Sequence, residues 1–76
     1  MGKKMRKVEL QELLSLGLTE EAGRVYSNSD DDIFAEENGL FTIQLRGELV
    51  SDNNSIGAIN AYFVGTMSHE KMMGRA

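Results

Sequence analysis

Cysteine, proline and tryptophan are absent from this 76-residue chain, and histidine occurs once. Without cysteine there is no disulfide framework, no thiolate zinc site and no cysteine nucleophile. The single His69 stands in HEKMM, which lacks the second histidine of a metalloprotease helix, and no other histidine is there to form a ligand pair or a catalytic relay. No apolar run approaches the ~20 residues needed to span a bilayer, and no signal-peptide core follows the basic start. The glycines are spread singly, so neither phosphate-cradling glycine motif is present. Counted from Asn28, an EF-hand would need glycine and glutamate where Ile33 and Gly39 stand. These absences lead to the expectation of a cytoplasmic, non-enzymatic protein with no cofactor, no metal site and no membrane partner.

A chain of this size fits one domain. A core this small supplies only ~3–5 kcal/mol of net stability, which makes oligomerisation or partner binding a natural supplement.

The net charge is −4, unevenly placed. Lys3, Lys4, Arg6 and Lys7 crowd the start, whereas Glu20, Glu21, Asp30, Asp31, Asp32, Glu36 and Glu37 crowd the region 19–39. Four cations would oppose a helix macrodipole at its positive end, so residues 1–6 read as a mobile basic arm. The acidic body repels a nucleic-acid backbone, whose neutralisation supplies most non-specific affinity.

From Lys7 the apolar residues Val8, Leu10, Leu13 and Leu14 recur at helical spacing, and Gly17 can take the left-handed position that ends a helix. Thr19 can then cap a second helix whose first turn holds Glu20 and Glu21, with Ala22, Val25 and Tyr26 along one face. Residues 7–28 thus read as a helical pair. Within them, residues 13–26 (LLSLGLTEEAGRVY) resemble the opening helix segment of TrmB-like winged helix-turn-helix regulators. That resemblance implies a compact helical pair. The recognition helix that would contact DNA has no counterpart, since SNSDDD and strand-like residues follow.

The stretch 40–66 reads as a long hairpin. Phe41, Ile43, Leu45 and Leu49 share one parity, and a polar break at Ser51–Ser55 precedes IGAINAYFVG. Closing that loop sets Val50 opposite Ile56, Ile43 opposite Phe63, Leu45 opposite Ala61 and Phe41 opposite Gly65, which makes one face apolar. Ser29 can cap a short helix over the next acids, or Asn38-Gly39 can form a type I′ turn joining Ile33–Glu37 to the hairpin. The turn is the preferred reading, with Phe34 facing Ile43. Residues 67–76 read as a frayed tail, with Ser68 capping a turn or two around Met72 and Met73.

The expected fold is α+β: two short N-terminal helices packed on a three-stranded antiparallel meander spanning 32–66. Its core is drawn from Met5, Val8, Leu10, Leu13, Leu14, Leu18, Ala22, Val25, Tyr26, Phe34, Phe41, Ile43, Leu45, Leu49, Ile59, Ala61 and Phe63. The expected function is a non-catalytic module that binds a protein with a basic surface, of the kind phages and mobile elements encode as accessory regulators or inhibitors of host proteins. The alternative is a small DNA-binding regulator derived from the helix pair. The expected binding surface is an acidic edge of Asp30, Asp31, Asp32, Glu36 and Glu37, assisted by Arg46, Asn60 and Tyr62 on the open sheet face. A homodimer is expected through that face, where Tyr62, Val64, Leu40 and Ile33 would lie, or through the third strand's open edge.

Overall fold

A computed structural model describes the backbone of residues 4–72 and the side chains of residues 4–65. The architecture is α+β, with three helices and a four-stranded antiparallel sheet. In chain order the elements are β1 (Met5–Lys7), α1 (Leu10–Leu16), α2 (Glu20–Ser27), β2 (Asp31–Glu36), β3 (Phe41–Leu45), β4 (Glu48–Asn54) and α3 (Ile56–Met72). The sheet order is β1-β2-β3-β4, so β1 and β4 form its edges.

Of the helical pair expected over 7–28, α2 and the end of α1 fall where the residue pattern puts them, but α1 starts at Leu10 rather than Lys7, because Lys7 and Val8 pair with β2. Gly17, at φ 128°, ends α1 by donating to the carbonyls of Leu13 and Leu14. Only a residue without Cβ takes that backbone conformation without strain. The Thr19 hydroxyl accepts from Ala22 N–H (3.2 Å) and caps α2, whose first-turn acids Glu20 and Glu21 suit the positive end of the helix.

The expected mobile arm, residues 1–6, is corrected at Met5 and Arg6, which belong to the strand Met5–Lys7; residues 1–3 lie outside the described residues. The strand pairs with β2, Arg6 opposite Ala35, and Val8 N–H extends the ladder to the Ile33 carbonyl (2.8 Å). Its cations find carboxylates: Arg6 bonds Glu12 on α1, and Lys7 lies 3.2 Å from Asp32. The exposed edge of β2 and these two acids hold a segment that its charge alone would leave in water.

The largest correction concerns residues 56–66, expected as a strand and found in α3. The alternation there was degenerate. Of Gly57, Ile59, Ala61, Phe63 and Gly65, only Ile59 and Phe63 are large, and a pair four residues apart also shares one helix face. Both are fully buried. Ser55 starts the helix, its hydroxyl accepting from Ala58 N–H (3.2 Å) and its carbonyl from Ile59 N–H (3.0 Å). The expected second strand therefore folds on itself: Arg46 and Gly47, at φ 52° and 85°, form a two-residue turn, and β4 takes the place beside β3.

A second correction concerns register. The β2–β3 loop has three residues, Glu37–Gly39, closed by Glu36 N–H on the Leu40 carbonyl (2.8 Å). Only Gly39 is left-handed there, at φ 87°, whereas a type I′ turn would need two such residues. The extra residue slips the pairing by one, so Ile33 rather than Phe34 lies opposite Ile43. Ile33 becomes fully buried, and Phe34 points to the other face. The core comprises Val8, Leu13, Leu18, Ala22, Ile33, Phe41, Ile43, Ile59 and Phe63. Met5, Leu14, Leu45 and Leu49, expected in it, are exposed. Tyr26 and Tyr62 pack edge-on against Phe63, at centroid distances of 5.5 and 5.0 Å. Of the expected tail, 67–72 continue α3; the side chains of Ser68, His69 and Met72, and residues 73–76, lie outside the described residues.

Candidate functional site

The eight residues expected to form one binding surface are distributed through the fold. Successive strand residues point to opposite faces, which separates Asp31 from Asp32. Asp31 is buried and bonded to the Tyr62 hydroxyl on α3, while Asp32 faces the other way, towards Lys7. Burial first, and then the Asp31 carboxylate, push the Tyr62 phenol up to about 12. Glu36 is also buried. Its Oε2 accepts from Thr42 Oγ1 (2.6 Å) and Asn53 N–H (2.8 Å), joining three strands on the face away from the helices. Glu37 is exposed in the loop at the far end of β2 from Asp30, about 20 Å away at the rise of an extended strand. Asn60 lies on α3, where Nδ2 donates to the Gly17 carbonyl (3.0 Å) and Oδ1 accepts from Thr19 N–H (2.7 Å). It ties α3 to the junction of the helical pair.

Asp30 and Arg46 do come together. Arg46 Nε donates to Asp30 Oδ2 (2.9 Å), and Arg46 N–H reaches the Asp30 carbonyl (3.4 Å). These bonds fasten the β3–β4 turn to the residue preceding β2. Around this turn the fold leaves its apolar residues uncovered: Leu45 is 42 % exposed, Leu49 64 % and Val50 43 %. Ile33 and Ile43 are buried under the helices while these three residues are not, so the tip of the β3–β4 hairpin extends beyond the helical layer. Leu45 pairs with Glu48, and Gln44 with Leu49. By the pleat, Leu45 shares the helix-bearing face with Ile43, while Leu49 lies on the opposite face.

From Val50 onward β4 is irregular. Register shifts fall between Phe41 and Ile43 and between Ile43 and Gln44. Asn53 has a left-handed φ of 55°, and its N–H turns inward to Glu36. The Asn54 side chain donates to the Phe41 carbonyl (3.2 Å). Such bulges bend an edge strand and blunt its capacity for pairing. Acidic residues flank the apolar tip: Glu48 follows the turn, Asp52 stands two residues past Val50 on β4, and Asp30 is held by Arg46 at the turn.

An open concavity of about 510 Å³ lies between β1, α1 and the β2–β3 loop, with Met5, Leu16, Ala35 and Phe41 in its wall. The Arg6–Glu12 pair stands at its margin, and the Arg6 guanidinium holds the Glu12 carboxyl below the usual range. Among the described residues no group of three or more acidic or histidine side chains converges as metal ligands, and no helix is long and apolar enough to cross a membrane.

Sequence reasoning passed over the hairpin tip because it counted Leu45 and Leu49 as core. The signal that could have found it is Arg46-Gly47, a polar pair interrupting an otherwise apolar alternation. No protein-family model, curated protein or solved structure matches this chain.

Proposed function

We propose that this protein is a small non-catalytic module that binds a protein with a basic surface and thereby regulates or inhibits it. The observation that carries the reading is the exposure of Leu45, Leu49 and Val50 around one turn, at the edge of the sheet. Single exposed apolar side chains are ordinary, but a group of them with a charged rim is the usual anatomy of a protein-binding surface. The rim supplies the chemistry of the partner. Asp30, Glu48 and Asp52 outweigh Arg46, and the chain as a whole carries −4, so a cationic surface is drawn to this end of the molecule. Of the residues first expected to bind, Asp30 and Arg46 belong to this surface. The partner is a second kind of protein rather than another copy, because two acidic rims repel.

The alternative, a DNA-binding regulator, draws on the α1–α2 pair. The outward residues of α2 are Glu20, Glu21, Arg24 and Ser27, a net-acidic set that opposes approach to phosphates. No sequence-specific duplex binding is expected.

Peptide-display selection on the immobilised protein, with counter-selection on Leu49→Asp, tests the reading. Enriched ligands should combine lysine or arginine with apolar residues, and they should associate more slowly with an Asp30→Lys, Glu48→Lys double variant. A selection that yields no ligand dependent on Leu49 overturns it.

A further inference from the structure

We infer that Asn38, which precedes Gly39 in the exposed β2–β3 loop, is a site of spontaneous covalent modification, where the side-chain amide cyclises onto the Gly39 backbone nitrogen and water opens the ring to aspartate or isoaspartate. The loop lies at the opposite end of β2 from the Arg46–Gly47 turn, and its chemistry is independent of the binding reading above. In the first step the Gly39 nitrogen gives its proton to water or hydroxide and attacks the Asn38 Cγ. A C–N bond forms, the Cγ–Nδ2 bond breaks and ammonia leaves, which closes a five-membered succinimide. Water then adds to one of the two ring carbonyls. Cleavage of the new bond leaves aspartate; cleavage of the original peptide bond leaves isoaspartate, whose main chain runs through Cβ and is one carbon longer.

The loop holds the reacting groups for this. Asn38 Oδ1 accepts from Leu40 N–H (3.0 Å), a turn that folds the side chain back over the following peptide. The same N–H polarises the carbonyl under attack and stabilises the oxygen as charge develops on it. Asn38 Nδ2 donates to Asn53 Oδ1 (3.3 Å), which fixes the end of the amide that faces Leu40. Asn38 and Gly39 are both exposed, and apart from the chain neighbours no atom lies within 4 Å of the place a Gly39 Cβ would take. Water and hydroxide therefore reach the nitrogen, and glycine leaves the backbone free to turn it towards Cγ. The Gly39 N–H bond to the Glu36 carbonyl (3.1 Å) must open first, and in an exposed loop such opening is cheap. The other asparagines are worse placed. Asn28 and Asn54 precede serines and Asn53 precedes Asn54, so a side chain crowds each nitrogen, and the Asn54 amide is committed to the Phe41 carbonyl. Asn60 lies inside α3, where the next N–H belongs to the helical ladder.

The modification acts on the register of the sheet. Glu36 N–H closes the loop on the Leu40 carbonyl (2.8 Å), and that closure sets Ile33 opposite Ile43. An extra main-chain carbon disturbs it, and either product replaces the donor to Asn53 with a carboxylate beside Glu37. To test this, full-length protein is aged at neutral and at mildly alkaline pH, and peptide mapping by mass spectrometry follows conversion of amide to acid at each asparagine. Position 38 should convert at least about tenfold faster than any other, and faster at the higher pH. The isoaspartate form, separated by chromatography, should melt at a lower temperature than fresh protein. Asn38→Gln, which would have to close a less favourable six-membered ring, should stop both changes. Conversion led by another asparagine overturns the proposal. So does a position 38 that stays intact in the folded protein while the urea-unfolded chain converts there, since the Gly39–Glu36 bond would then protect it. An isoaspartate form with an unchanged melting midpoint overturns the effect on register.

Discussion

Replacing Asn60 by alanine tests whether residues 56–66 form a helix held to the α1–α2 junction. On the expected hairpin, Asn60 would face solvent and its replacement would fall within the ~0.5 kcal/mol of ordinary surface changes. In the structure its side chain makes two bonds across elements, 2.7 Å from Thr19 N and 3.0 Å to the Gly17 carbonyl. At about 0.5–1 kcal/mol each in this solvent-accessible setting, they contribute about 1–2 kcal/mol. Alanine returns about 0.6 kcal/mol through its higher helix propensity. The net cost is then about 1 kcal/mol, a substantial share of the ~3–5 kcal/mol that a domain this small can hold. Thermal unfolding followed by circular dichroism should show a midpoint lowered by roughly 4–8 °C. Asn60→Asp keeps the acceptor for Thr19 N–H and places negative charge at the start of α2, so it should fall between alanine and the native residue. An unchanged midpoint for Asn60→Ala, in a protein that remains folded, would refute the argument that this side chain anchors α3.

Gly23 lies where α2 meets α1, and an added Cβ would sit 3.1 Å from the Leu14 Cδ2. Leu14 is partly exposed and can yield, so Gly23→Ala should stabilise by up to about 1 kcal/mol in urea unfolding through helix propensity; a loss of stability would show that the helices cannot part. Thr42→Val removes a donor to a buried carboxylate oxygen of Glu36 and should cost about 1–3 kcal/mol in the same assay. Tyr62 should titrate near 12, against an ordinary value of about 10. Its raised value means that the native state favours the neutral phenol, so its contribution to stability is present below pH ~10 and lost as pH rises towards 12. Ring-carbon NMR across that range should show Tyr62 ionising above an unfolded-peptide reference, and ionisation at the reference value would contradict the Asp31 contact.

The chain by itself determined the helical pair, because its signals are local. Gly17 permits a backbone conformation that other residues avoid, Thr19 offers an oxygen where Ala22 needs an acceptor, and Leu10, Leu13 and Leu14, then Ala22, Val25 and Tyr26, recur at helical spacing. It determined equally that 41–45 is a strand, since Phe41 and Ile43 alternate with Thr42 and Gln44, whereas for 31–36 it preferred a strand and left a short helix capped by Ser29 open. Only the tertiary structure decided the rest. Ile59 and Phe63, four residues apart, satisfy both strand and helix periodicities, and the choice fell to the helix because Ser55 caps it and Asn60 reaches Gly17 and Thr19, more than forty positions away in sequence. One extra loop residue at Glu37–Gly39 exchanged Ile33 for Phe34 in the core, a difference no alternation reveals because both are large and apolar. The acidic run was legible as composition, but its fate depended on which face each strand residue took: Asp31 and Glu36 went inward to Tyr62, Thr42 and Asn53, and Asp32 to Lys7. Asp30 alone of the three aspartates reached the exposed turn. The apolar tip that forms the candidate site could not be read from Leu45, Leu49 and Val50 themselves, since what distinguishes a core residue from a surface one is whether another element covers it, and that depends on the length of the whole helical layer.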